Sequence, residues 1–484
     1  MTAPLDAWAE LDEHRWLPRL DVDLTLARGA DRTVAVLALV AGVLIDAVVR
    51  ADGIGLAATV TLLVVAGGLL GSGRLANPQA KGLVATVVLF APWLTLRTSA
   101  WLVVPDVLAC LALIFLAASY ASGGTVVDLT VPDVVIRTAG AIRHASKALA
   151  FVWEPFAATR PSWRRLAPVA KGAALAAPVL LIVGALLASA DPLFASLFRL
   201  PTSTSSLVGH TVVILLGSWS ATWLLRVTSA RRPPTADPSP RARLGTTEAT
   251  TVLALLVALY TAFAATQGAA IAGAGRHVLR TRGLTYAEYA RSGFFQLLAV
   301  SAVTLLLLMA VRALATREHG LITPLLVLSE ISVALTLVIV AVAIHRLALY
   351  EHAYGLTMLR LYSTIAAGWI AIVFVMLAIS LVDQRSRRRW FVSAAGASLL
   401  IVVLVLNFFN PEVYVARVNL ARSRVGHSVD PNYLWSLSDD AAPTVLATYP
   451  EDIATCSVHH APKGIASFNL SARAAARVRA RACR

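Results

Sequence analysis

Two short phrases in this 484-residue chain set ionisable side chains beside strongly apolar runs. The first is Leu347–Tyr362, LALYEHAYGLTMLRLY. Arg346, Tyr350 and Tyr354 recur every four residues, so on a helix they share one face. Glu351 stands three residues before Tyr354, and Gly355 is the residue type that ends helices. Arg360 and Tyr362 follow in the next element. A carboxylate, several phenols and two guanidiniums can hold a polar or phosphorylated headgroup. The same groups can tie two membrane spans together by ion pairs, and the spacing leaves both readings open. The second phrase is Leu284–Gln296, LTYAEYARSGFFQ. Thr285 and Glu288 have capping-box spacing. Tyr286 and Tyr289 then fall on one flank with Arg291 close by, and Phe294 and Phe295 open the next apolar run. This phrase reads either as an interfacial helix with an aromatic belt or as one wall of an extracytoplasmic pocket.

Other candidates are scattered. Glu330 sits inside an apolar run, where an ionisable group is costly and faces a cavity or a partner such as Arg312 or Arg317. Asp46 and Asp106 read as interface residues near span ends. Asp191-Pro192 reads as a turn. After the last apolar run, Asp430, Tyr433, Asp439 and Asp440 have turn and capping chemistry, and their spacing matches no calcium loop. Cys456, His459 and His460 do not make four metal ligands, so no metal is expected. Cys110 reads as a small core residue, and whether Cys456 and Cys483 pair is open. Arg473, Arg477, Arg481 and Arg484 form a basic helical stripe, solvated or facing lipid headgroups. There is no phosphate loop, no paired-histidine helix motif and no serine elbow, and no cofactor is expected.

The elements that must position these residues are membrane helices. The chain is 58% hydrophobic and only 14% charged, with mean hydropathy +0.72. A soluble domain carries about 25% charge. Apolar runs of about 17–25 residues match the ~30 Å hydrocarbon layer, and in lipid such spans must be helices. The expected fold is all-α, a polytopic transmembrane bundle of about eleven spans with a short C-terminal extramembrane tail. The spans are placed near 34–50, 54–70, 82–98, 101–120, 172–190, 207–225, 248–268, 294–311, 324–344, 364–382 and 391–409. The third is interrupted by Pro92 and closed by Arg97. Residues 1–33 form a cytoplasmic lead-in, 34–225 and 247–409 two membrane halves, 226–246 a flexible linker, and 410–484 the tail.

The net charge of +15 does not point to nucleic acid, because the basic residues sit in connectors. Cytoplasmic connectors collect Lys and Arg. With the N-terminus inside, the inside connectors carry more than twice as many as the outside ones. The tail then lies outside with both tyrosine-rich phrases. In the 121–171 connector, Pro132 to Phe151 reads as an amphipathic helix in the inner interface. Val134, Val135, Ile142 and Leu149 lie on one side of it, and Arg137, Arg143, His144 and Lys147 mostly on the other.

The phrases LTYAEYARSGFFQLL, LYEHAYGLTMLRLY and DPNYLWSLSDDAAPTVL, in this order, resemble bacterial polytopic membrane proteins of the DUF4153/DUF4173-like group of unknown function. EATTVLALLVALYTAFAATQ and ASFNLSARAAA also resemble it. The GAAIAGAG after Gln267 departs from the bulkier aromatic residues expected there. The resemblance implies a multi-pass protein of the bacterial cytoplasmic membrane and no activity. The functional expectation is an envelope recognition or accessory protein rather than an enzyme. Its partners would be the bilayer and either a lipid headgroup or an envelope protein, met at an extracytoplasmic surface. The alternatives are a transporter or channel using Glu330, and an outer-face transferase using Glu288, Glu351 or Asp430 as base.

Overall fold

The structure, a computed structural model, describes residues 20–21, 24–148, 150–152, 176, 183, 202–231, 235–236, 244–271, 294–314, 322–382, 390–426, 429–448 and 464–482. Its helices begin with α1 (Arg32–Val49), α2 (Leu56–Gly71), α3 (Pro78–Phe90), α4 (Trp93–Leu96), α5 (Ala100–Ser119) and α6 (Val131–Ala145). They continue with α7 (Thr202–Thr228), α8 (Thr246–Ile271), α9 (Phe294–Leu314), α10 (Ile322–Tyr354), α11 (Met358–Val382) and α12 (Phe391–Phe409). The tail adds α13 (Pro411–Arg424), α14 (Pro431–Trp435), α15 (Ala442–Leu446) and α16 (Leu470–Ala482).

The protein is an all-α polytopic membrane bundle. Among the described residues, nine helices are long and apolar enough to cross a membrane, α3 and α4 counting as one. The expected second span is α2, shorter at 16 residues. The expected span at 172–190 lies outside the described residues. Burial follows the logic of lipid as solvent. Leu255 and Leu306 are about two-thirds exposed on the spans, whereas Ser301, Thr304, Ser332 and Thr336 are fully buried. Each of these four hydroxyls donates to the carbonyl one turn back, so none enters the interior unsatisfied. Pro92 breaks the third span as expected. The broken turn is closed by Thr59, whose hydroxyl donates to the carbonyl of Ala91 at 2.8 Å.

The chain forms two compact units. One contains Asp21–Val126, Val131–Thr235 and Trp435–Arg484. At its first end, the lead-in, the α2–α3 connector and the end of α7 are stitched together by Arg74. That side chain donates to Ser229 Oγ at 2.5 Å and to the carbonyl of Gly29 at 2.9 Å, and pairs with Asp31 at 3.4 Å. At the opposite end, the tail closes over the connectors. Asn469 donates to the carbonyls of Leu94 and Arg97 at 3.1 and 2.8 Å, and Asp440 accepts from the backbone amides of Thr98 and Ser99 at 3.1 and 2.8 Å. Asp106 is fully buried in α5, and Asp46 is buried as well. One expectation is corrected in this unit. The connector helix stops at Ala145, and its basic residues divide. Arg143 and Lys147 are exposed, while Arg137 and His144 are buried. Arg137 turns inward because α5 ends there with unpaired carbonyls. It donates to Ser119 O at 2.5 Å and lies 3.5 Å over the Tyr120 ring.

The other unit is built from Ala236–Leu434, with Val127–Thr130 beside it. Here α10 packs against α8, α9 and α11. One apolar cluster gathers Ala249, Leu253, Leu308, Val311, Val333, Phe374 and Leu377. A second gathers Tyr260, Phe294, Leu297, Ile339, Ala343 and Leu347. The Tyr260 hydroxyl bonds Thr304 at 2.5 Å.

Candidate functional site

The cluster grows from the end of α10. Gly355 stops that helix with φ +81, and its amide still donates to Glu351 O at 2.9 Å. The next residue is clamped by Asn419 of α13, itself buried. The Asn419 amide donates to Leu356 O at 2.7 Å, and its Oδ1 accepts from Leu356 N at 3.1 Å. A Cβ on Gly355 would come within 2.8 Å of that oxygen, so the clamp needs glycine twice over. Two residues on, Met358 N donates to the Tyr433 hydroxyl at 2.7 Å.

Charged and aromatic groups collect around this pinned connector. Arg360 donates to Gly355 O at 2.5 Å and lies over the rings of Tyr350 and Tyr354, 4.1 and 6.0 Å from their centroids. Those rings are 5.0 Å apart, as the four-residue spacing requires. Thr364 donates to Glu351 Oε1 at 3.2 Å. One turn before Tyr350, Arg346 donates to Gln267 at the end of α8, at 3.1 Å. Tyr354 is exposed, Tyr362 is half-buried, and Glu412 is buried. The Nε of Arg422 is buried with no hydrogen-bond partner among the described residues. Burial pushes the Tyr433 phenol above its ordinary pKa and Glu412 adds to this, opposed by the Met358 amide and by Arg360.

Of the residues singled out in the sequence, the structure brings together Tyr350, Glu351, Tyr354, Arg360 and Tyr433, with Arg346 one turn away. Asp430 is exposed and caps its own turn, accepting from Asn432 N at 2.9 Å. Tyr286, Glu288, Tyr289 and Arg291 lie outside the described residues, as do Asp191, Cys456, His459 and His460. The sequence gives no signal for Asn419, which lies 63 residues from the backbone it clamps. Glu412 and Arg422 were likewise not singled out. Nor did it signal that Asp46 meets His210, 164 residues away, at 2.5 Å, while also pairing with Arg50 at 3.0 Å.

Glu330 lies apart from the cluster. Its Oε1 is buried without a hydrogen-bond partner among the described residues. Arg312, one expected partner, turns instead to Ser380, donating to its hydroxyl at 2.7 Å and its carbonyl at 3.2 Å. Arg317 is outside the described residues. Among the described residues, no three His, Cys, Asp or Glu are grouped to hold a metal. A groove between α1, α2 and α7, lined by Leu37, Ala41, Val64, Gly68 and Leu224, offers no polar anchor.

A family model described as a domain of unknown function, DUF4153, matches residues 83–447. The chain belongs to this family. No curated protein and no solved structure matches it. The DUF4153 match starts inside α3 and ends just after α15, so it contains the whole Arg360 cluster and its clamp but not α16. DUF4153 names no reaction, so the chemistry has to be argued from the cluster itself.

Proposed function

We propose that this DUF4153 protein is a recognition protein of a bacterial cytoplasmic membrane. Its site is the Arg360 cluster on the extracytoplasmic side, and its ligand is an anionic headgroup. One observation carries the reading: the Arg422 guanidinium keeps a buried Nε without an acceptor among the described residues, close to a connector that already holds Arg360. A buried guanidinium donor left unpaired costs about 1–3 kcal/mol or more, and a phosphate oxygen is the acceptor that suits it best. Tyr354 and Tyr350 supply the amphipathic rim that belongs at headgroup depth. The fixed connector supports binding rather than turnover. Glu351 is engaged by Thr364, whose hydroxyl donates to it at 3.2 Å.

The test is lipid binding by the detergent-purified full chain. Phosphatidylglycerol is expected to bind and to raise the melting temperature, and phosphatidylcholine is not. Arg422→Gln, which keeps a shorter polar side chain but removes the charge, is expected to weaken phosphatidylglycerol binding roughly tenfold, the scale of one charged hydrogen bond. Unchanged binding by that variant would refute the site.

A second reading has its own observation, the unpartnered Oε1 of Glu330 in a span. A carboxyl without a partner in a membrane is a proton-binding group on a transport path. Glu330→Gln keeps the shape and abolishes titration. If a proteoliposome assay with a pH-sensitive dye shows proton movement, this variant is expected to abolish it; no proton movement by the parent protein rules the reading out.

A further inference from the structure

We propose that α6 is an in-plane membrane anchor, seated in the leaflet at the lead-in end of its unit with its aliphatic stripe in the acyl-chain boundary. Val131, Val135, Thr138 and Ile142 fall on one face of α6 by helical spacing, and all four are exposed. Val135 is 62% exposed and Ile142 64%. The face turned to the protein holds Ile136, Arg137, Gly140, Ala141 and His144. This is the reverse of what water selects. A water-facing helix hides its branched aliphatics and presents its arginine; α6 hides Arg137 and presents valine and isoleucine.

The depth of the helix identifies what covers the stripe. Trp223 donates from its indole nitrogen to Ala141 O at 2.7 Å. Trp223 lies five residues before the end of α7, about 7 Å inside it at ~1.5 Å per residue. At its other side α6 is bonded to Ser119, the last residue of α5. The helix therefore lies at the level of the span ends, where indoles mark the boundary between hydrocarbon and headgroups. Thr138, the one polar residue on the stripe, donates its hydroxyl to Val134 O at 2.8 Å, so it brings no unsatisfied group into lipid. Lys147 is exposed one turn beyond Arg143, placed for headgroup phosphates. Helices of this composition lie in the interface plane.

The test uses the full chain, with its native cysteines replaced, in phosphatidylcholine vesicles containing phosphatidylglycerol. Val135→Cys, Ile142→Cys and Lys147→Cys each carry an environment-sensitive fluorophore. The probes at 135 and 142 are expected to lose most of their emission to a spin label on the lipid chain and to be spared by aqueous iodide. The probe at 147 is expected to be quenched by iodide. Iodide quenching at 135 and 142 as strong as at 147 would place the stripe in water and overturn the proposal. Shielding from both quenchers would place protein on the stripe and overturn it equally. An unchanged melting temperature of each labelled variant confirms that the fold is intact in every outcome.

Discussion

At the scale of single residues, the Arg360 cluster is organised by hydrogen bonds to backbone rather than by ion pairs. Asn419 uses both ends of its amide on Leu356, and Tyr433 accepts the amide of Met358. Tyr433→Phe would leave the buried Met358 amide without an acceptor, a loss of about 1–3 kcal/mol near neutral pH. The phenol also ties stability to pH. Its folded pKa is raised, so the unfolded chain gives up the proton first. The contribution is therefore intact below about pH 10, the ordinary tyrosine value, and is lost as pH rises through the folded value. The gap in melting temperature between the parent and Tyr433→Phe is expected to be constant up to that pH and to shrink above it. A gap that stays constant into strong alkali would show that Tyr433 does not titrate with folding. Part of this site was legible in the sequence. Gly355 as a helix stop and the Arg346, Tyr350, Tyr354 face follow from local rules. Asn419 was not legible, because an asparagine inside a basic helix looks like any solvated position until the chain folds back on residue 356.

At the scale of elements, the spans were legible because hydrocarbon thickness imposes a length and composition on each one. Their contacts were not. The α1–α7 crossing depends on two glycines. A Cβ on Gly42 would strike Ser218 and the carbonyl of Ile214, and one on Gly217 would come within 2.9 Å of Gly42 Cα. In lipid there is little hydrophobic drive between helices, so close backbone approach is the main source of attraction. The same approach lets His210 of α7 reach Asp46, which Arg50 already pairs within α1. Gly217→Leu is therefore expected to part the helices, break the His210–Asp46 contact and lower the melting temperature; Gly217→Ala should lower it less. Thermal melts of the purified variants decide this, and equal melting temperatures for the parent and Gly217→Leu would show that the crossing is not tight in the membrane. The sequence also assigned the basic residues of α6 to one face. That assumption failed at Arg137 because the end of α5 offers carbonyls and a tyrosine ring that compete successfully with water.

At the scale of the molecule, function depends on which side each connector faces, and charge alone gives that answer in the sequence. The folded unit made of Asp21–Val126, Val131–Thr235 and Trp435–Arg484 adds an independent constraint. Its lead-in, α2–α3 connector and α7 end are bonded to one another, whereas its α1–α2 and α4–α5 connectors are bonded to Asp440, Ser467 and Asn469 of the tail. Connectors bonded to each other must share one side of the membrane. The first group carries Arg28, Arg32, Arg74 and Lys81 close to the span ends, and we propose that it faces the cytoplasm, where connectors collect Lys and Arg. On that proposal the tail residues bonded to the α1–α2 connector lie on the opposite side with it. Asp52 and Lys81 are exposed positions, one in each group. In a chain whose native cysteines are replaced, Asp52→Cys is expected to react with a membrane-impermeant maleimide on intact cells, and Lys81→Cys only after the cells are opened. Labelling of both on intact cells would break the grouping itself. Labelling of Lys81→Cys alone would keep the grouping and invert this unit, moving its tail residues to the cytoplasm.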